Sequence, residues 1–394
     1  MRRAPGPEAL VIRPSAVISS LCYSILRVEP YPSCALSCPY CYAQWYRAPA
    51  RRGWGARLVS LFEAVARALS RRGLPTIPFR LSTLAEPLQP AEAERGLSRR
   101  VMSICLKYDT PLIVTTKSTL LSEEPWRGLA RKLSERGLLV VQVSLPCTDD
   151  GLARALEPRA PPPSERLRLA ELLSGEGVPV VARLQPLVPG LANWAEEASE
   201  AVAELRSAGV RQVVVESLRL PRDQLEPLGW SLGLWERWRS VPWEPYGSGA
   251  SPFFLRPGPE WRGPVYEAIR AACDRHGVAF ATCKEGHYHL WTAADCCGIY
   301  MLDGERARLR VTLRELWEAA GALPLPDPSE VALRLDQNKY LHSGNVAGHP
   351  RPLRRGVVAH ERRLAKAASD PRLVEALLGL ARTDHSLQEE EPDP

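Results

Sequence analysis

The sequence contains no long hydrophobic run. Among its 394 residues, no apolar stretch reaches the ~18 residues that a membrane-spanning helix needs, which excludes an integral membrane protein. The N-terminal residues MRRAPGPEALVIRPSAV are basic, but they lack a continuous apolar stretch and a small-residue cleavage site, so they indicate neither a signal peptide nor an anchor. We therefore expect a cytoplasmic protein without a membrane partner.

The sequence also has few histidines and lacks the glycine-rich motif of dinucleotide-binding proteins. The chain has 7 histidines, of which the first is His276, and it has no clean glycine fingerprint for a dinucleotide. No histidine is therefore available to complete a zinc site near the N-terminal cysteines, and the sequence does not predict a dinucleotide-binding protein.

Cysteine, by contrast, is concentrated in one place. Residues 34–41 read CALSCPYC, with Cys34, Cys38 and Cys41 at the spacing C-x3-C-x2-C. In a reducing compartment such a group indicates a metal or a reactive thiol, and three cysteines cannot all pair among themselves. Thiolates select zinc, copper(I) or iron–sulfur clusters, and structural zinc needs four ligands. Three thiols fit a [4Fe–4S] cluster with one iron left open; a structural zinc site or a chance grouping is the alternative.

Between residues 25 and 220, short β-type runs alternate with amphipathic helical stretches. LLVVQVSLP is nearly apolar throughout, as expected for a parallel strand covered on both faces. ARLVSLFEAVARALSRRG has apolar residues at helical spacing and ends on Gly73, a natural helix stop. At least six such units predict a parallel sheet with right-handed crossovers in a full or partial α/β barrel, with an open doubly wound sheet as the competing arrangement.

Changes in amino-acid composition along the sequence divide the chain into five parts. Residues 1–24 are an N-terminal extension, and 25–220 form the predicted core barrel. Residues 221–262 are rich in tryptophan, proline and glycine, which indicates an insertion or lid. A last βα unit with a second cysteine group spans 263–303, and a helical C-terminal extension with the acidic tail EEEPDP spans 304–394.

The cysteine loop and the βα repeat together resemble the radical S-adenosylmethionine (SAM) superfamily, in which an aromatic residue, here Tyr40, precedes the third cysteine. The resemblance implies a partial (β/α)6-type TIM barrel and a [4Fe–4S] cluster ligated by Cys34, Cys38 and Cys41. It also implies that SAM binds the open iron, and that one electron from a reductant of the ferredoxin or flavodoxin type cleaves it. The resulting 5′-deoxyadenosyl radical would abstract hydrogen from a substrate.

Further stretches resemble the spore photoproduct lyase-related branch, often described as DNA repair photolyase-like. They are LSTLAEPLQPAE (81–92), IVTTKSTLL (113–121), VQVSLPCTDDGLARALEPRAPPPSERL (141–167) and ARLQPLVPGLAN (182–193). The resemblance implies a lyase or modification enzyme, with DNA repair as the suggested activity. The hydrogen-donor cysteine of true spore photoproduct lyases has no clear counterpart, so repair of thymine dimers by that mechanism is not supported.

The resemblance also implies roles for single residues. Tyr40 is expected near the adenine, Lys117 at the methionine carboxylate, and Ser144 at the ribose or carboxylate. Arg183 either contacts the same carboxylate of SAM or forms a structural ion pair. The other strand-end residues expected at the cofactor or the active site are Ser82, Thr83, Glu86, Gln185 and Glu216.

The remaining cysteines leave several alternatives open. Cys147 is either a hydrogen-atom donor, because S–H bonds are weak, or a small-residue substitution without consequence. Cys283, Cys296 and Cys297 either bind an auxiliary metal or cluster, place one thiol near the radical site, or are simply buried. Cys22 lies in an apolar context and is assigned to the core.

The formal net charge of +6 permits a polyanionic partner without requiring one. The tryptophans and arginines of the insertion would suit stacked bases and phosphates, or the tryptophans pack along one helix face. We therefore predict a radical SAM enzyme that acts on nucleic acid. The alternatives are the same chemistry on a peptide, protein or small metabolite, and a non-catalytic iron–sulfur or zinc protein that binds nucleic acid. The oligomeric state is not predicted.

Overall fold

The computed structural model describes residues 7–45, 54–246 and 254–379. The strands are β1 (Leu26–Val28), β2 (Phe79–Leu81), β3 (Leu112–Thr116), β4 (Leu139–Leu145), β5 (Val180–Leu187), β6 (Gln212–Ser217), β7 (Leu220–Pro221), β8 (Trp243–Pro245), β9 (Phe254–Pro257) and β10 (Ala279–Thr282). The helices are α1 (Ala16–Leu21), α2 (Trp54–Arg71), α3 (Ala91–Arg95), α4 (Leu97–Tyr108), α5 (Trp126–Glu135), α6 (Asp150–Leu156), α7 (Pro163–Gly175), α8 (Trp194–Ser207), α9 (Arg222–Ser231), α10 (Trp235–Trp238), α11 (Pro259–His276), α12 (Leu313–Ala320), α13 (Pro328–Arg334), α14 (Arg351–Ala368) and α15 (Pro371–Leu378).

Seven strands form one parallel sheet in the order β1-β2-β3-β4-β5-β6-β10. All seven residues of β4 are buried, which explains its continuous apolar run, because a parallel strand is covered on both faces. The α/β fold class predicted from the sequence is confirmed. The sheet has seven strands rather than six, because β10 pairs with β6. Within the described ranges β1 and β10 do not pair with each other, so the barrel is partial.

Different groups of residues pack on the two faces of the parallel sheet. Leu139, Val141 and Val143 of β4 belong to the large core that includes the helices, whereas Val140 belongs to a second core on the opposite face. Because side chains alternate along a strand, Gln142 and Ser144 share the face of Val140. This face is the inner face of the sheet, and it carries the polar residues of the candidate site.

The chain after β10 returns to cover the inner face. Residues 295–300 form the inner turn, in which the Asp295 carboxylate accepts hydrogen bonds from three backbone N–H groups at 2.7–3.0 Å. The Gln142 side chain donates to the carbonyl oxygen of Cys297 over 2.9 Å. At Gly298, with φ of 78°, a Cβ atom would lie 3.1 Å from valine side chains of β4 and β5. Glycine therefore allows the turn to approach the sheet this closely.

The insertion forms a small antiparallel sheet in the order β7-β9-β8 together with α9 and α10. Trp238 is fully buried and packs against Trp243 with ring centroids 5.6 Å apart. Trp230 is 57% exposed. The tryptophans therefore do not form one packed helix face as the sequence suggested, because Trp230 and Trp238 lie on two short helices and have opposite environments.

The two terminal extensions pack against each other. Leu21 of α1 shares a hydrophobic cluster with residues of α12, α13, α14 and α15. The His360 ring of α14 donates from Nε2 to the carbonyl of Ile12 over 2.8 Å, and its Nδ1 accepts from the Ser19 hydroxyl over 2.9 Å. The acidic tail lies outside the described residues. No helix in the described ranges is long and apolar enough to cross a membrane.

We expect the free energy of unfolding to fall on acidification, in part through His360. Burial lowers the pKa of this imidazole from its ordinary 6.5 to about 3. Because the unfolded chain binds the proton more readily, the stabilisation is present above pH 6.5 and is lost toward pH 3, by up to ~1.4 kcal/mol per pH unit. Urea unfolding at several pH values should show a shallower dependence for His360→Gln than for the wild type. Identical slopes for His360→Gln and the wild type would contradict the assignment.

Candidate functional site

The three N-terminal cysteines lie in the loop that follows β1. Cys38 is buried, Cys34 and Cys41 are partly exposed, and all three are free thiols. The Gln89 side chain holds this loop by bonding two of its backbone groups over 2.8 and 2.9 Å. The Glu86 N–H donates to Cys34 Sγ over 3.4 Å. The segment after β2 therefore positions the cysteine loop beside the carboxyl ends of the strands.

Glu86, a predicted cofactor-binding residue, is buried and connects the segment after β2 to the end of β3. Its carboxylate accepts the Thr116 hydroxyl at 2.6 Å and the N–H of Lys117 at 2.8 Å. Burial raises the pKa of this carboxyl, although these hydrogen bonds oppose the shift. The structure thus places Glu86 in contact with the end of β3 and with the cysteine loop at the same time.

Ser82 and Thr83 are organised by a carboxylate that sequence reasoning missed. Glu29, directly after β1, accepts from the Thr83 N–H at 2.7 Å and from the Leu84 N–H at 3.3 Å. The hydroxyls of Ser82 and Thr83 also donate to it. Glu29 is the acidic residue of the stretch SILRVEP, but nothing in the sequence indicated which residues it would contact.

The lysine cluster consists of Tyr40, Lys117, Ser144, Glu157 and Arg166. The Lys117 ammonium lies 2.8 Å from the Glu157 carboxylate and donates to Ser144 Oγ over 2.7 Å. The Arg166 guanidinium contacts the other Glu157 oxygen at 2.5 Å, and the Tyr40 hydroxyl donates to the same carboxylate. The structure therefore brings together Tyr40, Lys117 and Ser144, which were predicted separately as cofactor-binding residues.

Glu157 was not singled out in the sequence, although it lies in the stretch ALEPRAPPPSERL. Its side chain is 0% exposed. Burial alone would raise the pKa of the carboxyl, but Lys117 and Arg166 outweigh burial and hold the pKa below its ordinary value. The carboxylate is therefore charged at neutral pH and fixes the ammonium of Lys117 at the end of β3.

A second polar group, the cationic cluster, lies at the ends of β6 and β10 and consists of Glu216, Arg219, Lys284 and Tyr42. Glu216 lies 2.7 Å from the Arg219 guanidinium and 3.0 Å from the Lys284 ammonium. Both cations also lie over the Tyr42 ring, at 4.5 and 5.7 Å from its centre. Because Tyr42 follows Cys41, the cationic cluster adjoins the cysteine loop. Arg219 and Lys284 were not predicted.

Arg183 does not join the lysine cluster. Its guanidinium donates to Gln142 over 3.1 Å and to Gln185, and it lies 3.9 Å from Glu216. These contacts fit the predicted structural ion pair, and the contact with the SAM anion stays a prediction.

Cys147 is buried just beyond β4, with its thiol 3.4 Å from the Asp149 carbonyl. Burial raises the pKa of this thiol to about 12, so it carries its hydrogen at neutral pH. Cys147 directly follows β4, the strand that carries Ser144 of the lysine cluster.

The second cysteine group lies on the inner face. Cys296 and Cys297 of the inner turn have sulfurs 3.9 Å apart. Arg80 donates to the Cys297 sulfur over 3.5 Å, and Arg183 to the Cys283 sulfur over 3.4 Å.

Cys22 does not belong to the hydrophobic core alone, as the sequence suggested. The side chain is only partly buried, and the next residue, Tyr23, packs in the same buried cluster as Cys283, Cys296 and Cys297.

A protein-family model for the radical SAM superfamily matches residues 28–202. The chain carries a radical SAM domain. An uncharacterized protein of Mycobacterium tuberculosis is 26% identical over 204 residues, covering 49% of this chain and 58% of that protein. An uncharacterized protein of Acidianus two-tailed virus is 24% identical over 216 residues, covering 50% of this chain and 69% of that protein. The chain therefore matches little more than half the length of its mycobacterial relative.

Two solved structures resemble the chain over more of its length. A spore photoproduct lyase with bound AdoMet and dinucleoside spore photoproduct is 14% identical, with a TM-score of 0.48, and the match covers 71% of this chain and 86% of that chain. Streptococcus suis SuiB bound to S-adenosylmethionine is 12% identical, with a TM-score of 0.44, covering 84% of this chain and 66% of that chain. The family-model match confirms the predicted superfamily over residues 28–202.

The radical SAM domain supplies a donor set that fits a [4Fe–4S] cluster. Its three free thiols come from one anchored loop, and the charges of Cys34 and Cys41 act on Cys38. Nowhere in the described ranges do three side chains of the usual ligand types surround one metal ion.

Proposed function

We propose that the protein is a radical SAM enzyme whose cluster is held by Cys34, Cys38 and Cys41 and whose substrate is a nucleic acid or nucleotide. The observation that carries the proposal is the position of the lysine cluster beside this three-thiol loop. When bound at these thiols, a [4Fe–4S] cluster with one iron free of protein ligands would supply one-electron reduction of SAM. An external ferredoxin- or flavodoxin-type protein is the proposed source of that electron.

The lysine cluster and the Glu29 group form the proposed SAM site. Lys117, kept charged by Glu157, would receive the methionine carboxylate, with Ser144 as a second donor. Tyr40 would pack beside the adenine. Ser82 and Thr83 are held at the end of β2 by Glu29 and would face the methionine amino group. Fixing these groups before SAM arrives lowers the cost of orienting it.

The cationic cluster supports an anionic substrate. Two cations, Arg219 and Lys284, share the single carboxylate of Glu216, so positive charge exceeds negative charge there. The Tyr42 ring beneath them adds an aromatic surface next to the cysteine loop. Cations that meet phosphate and aromatic rings that stack bases are the components of single-stranded nucleic-acid sites.

Cys147 is the proposed hydrogen-atom donor to the product radical. Its buried neutral thiol retains the S–H bond that this role requires. After giving up the hydrogen atom, the sulfur would be a thiyl radical that regains one electron and one proton through the external reductant. A purely packing role for Cys147 is the alternative, and the Cys147→Ala variant would then form product with the wild-type yield.

The substrate class is tested by salt-dependent binding of fluorescein-labelled single-stranded DNA to the reconstituted protein. If Lys284 meets a phosphate, Lys284→Gln should reduce the slope of log K against log salt by about 0.7, the value for one phosphate of a single strand. The matched control is Lys107→Gln, an exposed lysine on α4 outside the cationic cluster, which should keep the wild-type slope. Binding that is absent, or that does not depend on salt, would contradict a nucleic-acid substrate.

The same cations would also bind a carboxylate, so a peptide or a small acidic metabolite is the second candidate substrate. In that case SAM cleavage would proceed while DNA binding shows no salt slope. A protein with an intact cluster that cleaves no SAM in the presence of dithionite would instead favour the non-catalytic, nucleic-acid-binding alternative.

A further inference from the structure

We propose that Cys22, Cys283, Cys296 and Cys297 bind a second iron–sulfur cluster on the inner face of the sheet, with Arg80 and Arg183 balancing its charge. The chemistry it would supply is one-electron transfer. The proposal does not depend on the SAM chemistry, because none of these residues lies in the cysteine loop or the lysine cluster.

Three separate segments of the chain bring these thiols together. Cys22 ends α1 just before β1, Cys283 follows β10, and Cys296 and Cys297 lie in the inner turn. The Cys296 and Cys297 sulfurs are 3.9 Å apart. Tyr23, the residue after Cys22, packs in one buried cluster with Cys283, Cys296 and Cys297, so the chain at Cys22 reaches the region of the other three thiols. Four thiolates are the usual complement for a protein-bound iron–sulfur cluster.

The inner turn that presents two of the thiols is rigidly held. The Asp295 carboxylate binds three of its N–H groups, and the side chains of Gln142 and Gln212 donate to two of its carbonyls over 2.9 and 2.8 Å. Two buried glutamines and a buried aspartate thus position one short turn. Outer groups of this kind fix ligand orientation in metal sites.

The two arginines indicate that an anion belongs in this region. Arg80 is 8% exposed, and its remaining hydrogen-bond acceptors are the neutral side chains of Thr115 and Gln142. In the described part of the chain no carboxylate forms an ion pair with Arg80, and the Cys297 sulfur is the group that can carry a negative charge toward it. Arg183 approaches Cys283 in the same way. A buried cation is costly without a counter-ion, and a cluster ligated by four thiolates carries negative charge.

A single zinc ion fits these residues less well. No three ligand side chains in the ranges described converge on one ion. The Cys22 thiol donates to the Ser24 carbonyl over 3.1 Å and does not point at the other three thiols. A cluster of several irons accepts more widely spaced sulfurs than one ion does. Rotation of the Cys22 side chain away from that carbonyl would complete the set.

The experiment uses the full chain with the first cluster removed. The triple variant Cys34→Ala, Cys38→Ala, Cys41→Ala is reconstituted without oxygen, and iron and acid-labile sulfide are counted per chain. We expect this variant to retain the iron and sulfide of one cluster, with thiolate-to-iron absorption, while the wild type holds two clusters. A triple variant that binds neither iron nor sulfide while it remains folded by circular dichroism would overturn the proposal.

Two further sets of variants identify the ligands. Adding Cys283→Ala and Cys297→Ala to the triple variant should abolish the remaining iron, whereas adding Cys105→Ala, a buried cysteine of α4, should not. Should the five-cysteine variant fail to fold, the Arg80→Met variant in the triple background provides a second measurement. Loss of a neighbouring positive charge should lower the midpoint potential of the remaining cluster, as followed by electron paramagnetic resonance.

Three other outcomes would also overturn the assignment. They are zinc in place of iron in the reconstituted triple variant, a disulfide among these four cysteines with no metal bound, and an unchanged potential in Arg80→Met. None of these measurements uses SAM cleavage. Failure of this proposal is therefore distinguishable from failure of the proposed function, in which the wild type would hold its clusters but form no 5′-deoxyadenosine.

Discussion

The Cys38→Ala variant is expected to form no detectable 5′-deoxyadenosine from SAM under anaerobic conditions with dithionite. Cys38 is the buried member of the three-thiol loop, and no histidine or fourth cysteine in that loop can replace it. A cubane left with two protein ligands on this loop would lose the geometry that leaves one iron open for SAM. The measurement is the yield of 5′-deoxyadenosine per chain by liquid chromatography after reconstitution.

The matched control for this prediction is Cys105→Ala. Cys105 is also a buried free thiol, but it lies in α4 within the hydrophobic core. The control removes one sulfur and leaves a small cavity, so it should lower stability slightly and keep SAM cleavage. Cleavage at the wild-type level by Cys38→Ala would remove Cys38 from the ligand set. Loss of cleavage in both variants would show that the assay reports thiol loss in general.

Substitution of Glu157 by glutamine should lower the free energy of unfolding by ~3–5 kcal/mol, the cost of breaking a buried ion pair by removal of one partner. Glutamine is nearly isosteric with glutamate, so the change removes charge more than volume. It leaves Lys117 and Arg166 with 2.8 and 2.5 Å contacts to a neutral group in a site where the carboxylate is 0% exposed. Chemical denaturation followed by circular dichroism measures the loss.

Glu236→Gln is the matched control, because it breaks another Arg–Glu pair, in which the glutamate side chain is 67% exposed. This exposed pair should contribute less than ~1 kcal/mol. Lys117→Met combined with Glu157→Gln should cost less than the sum of the two single changes, because the single variants each leave a buried charge with fewer partners. Strict additivity, or equal losses for Glu157→Gln and Glu236→Gln, would show that Glu157 does not hold Lys117 electrostatically.

The sequence by itself determined the local features of this protein. The spacing of Cys34, Cys38 and Cys41 indicated an open cluster, because a ligand set drawn from eight consecutive residues is a local property. The apolar run of β4 and the repeated βα units determined the parallel sheet in the same way, since periodicity and burial on both faces are present in each segment. Lys117 and Ser144 were predicted from the resemblance to the family, and both follow or end strands of the parallel sheet.

The tertiary structure alone decided which distant residues meet. Glu157 serves Lys117 from a position 40 residues later, on the segment that crosses from β4 to α7, and its partners appear only when that segment folds back. Cys297 meets Arg80 of β2 because the inner turn returns to the sheet after β10, and β10 itself joins the sheet after the whole insertion. The position of a single charged residue or cysteine in the sequence does not indicate which distant residue it contacts. Buried polar contacts across long separations are therefore set by the packing of elements, which the sequence pattern of any one element does not contain.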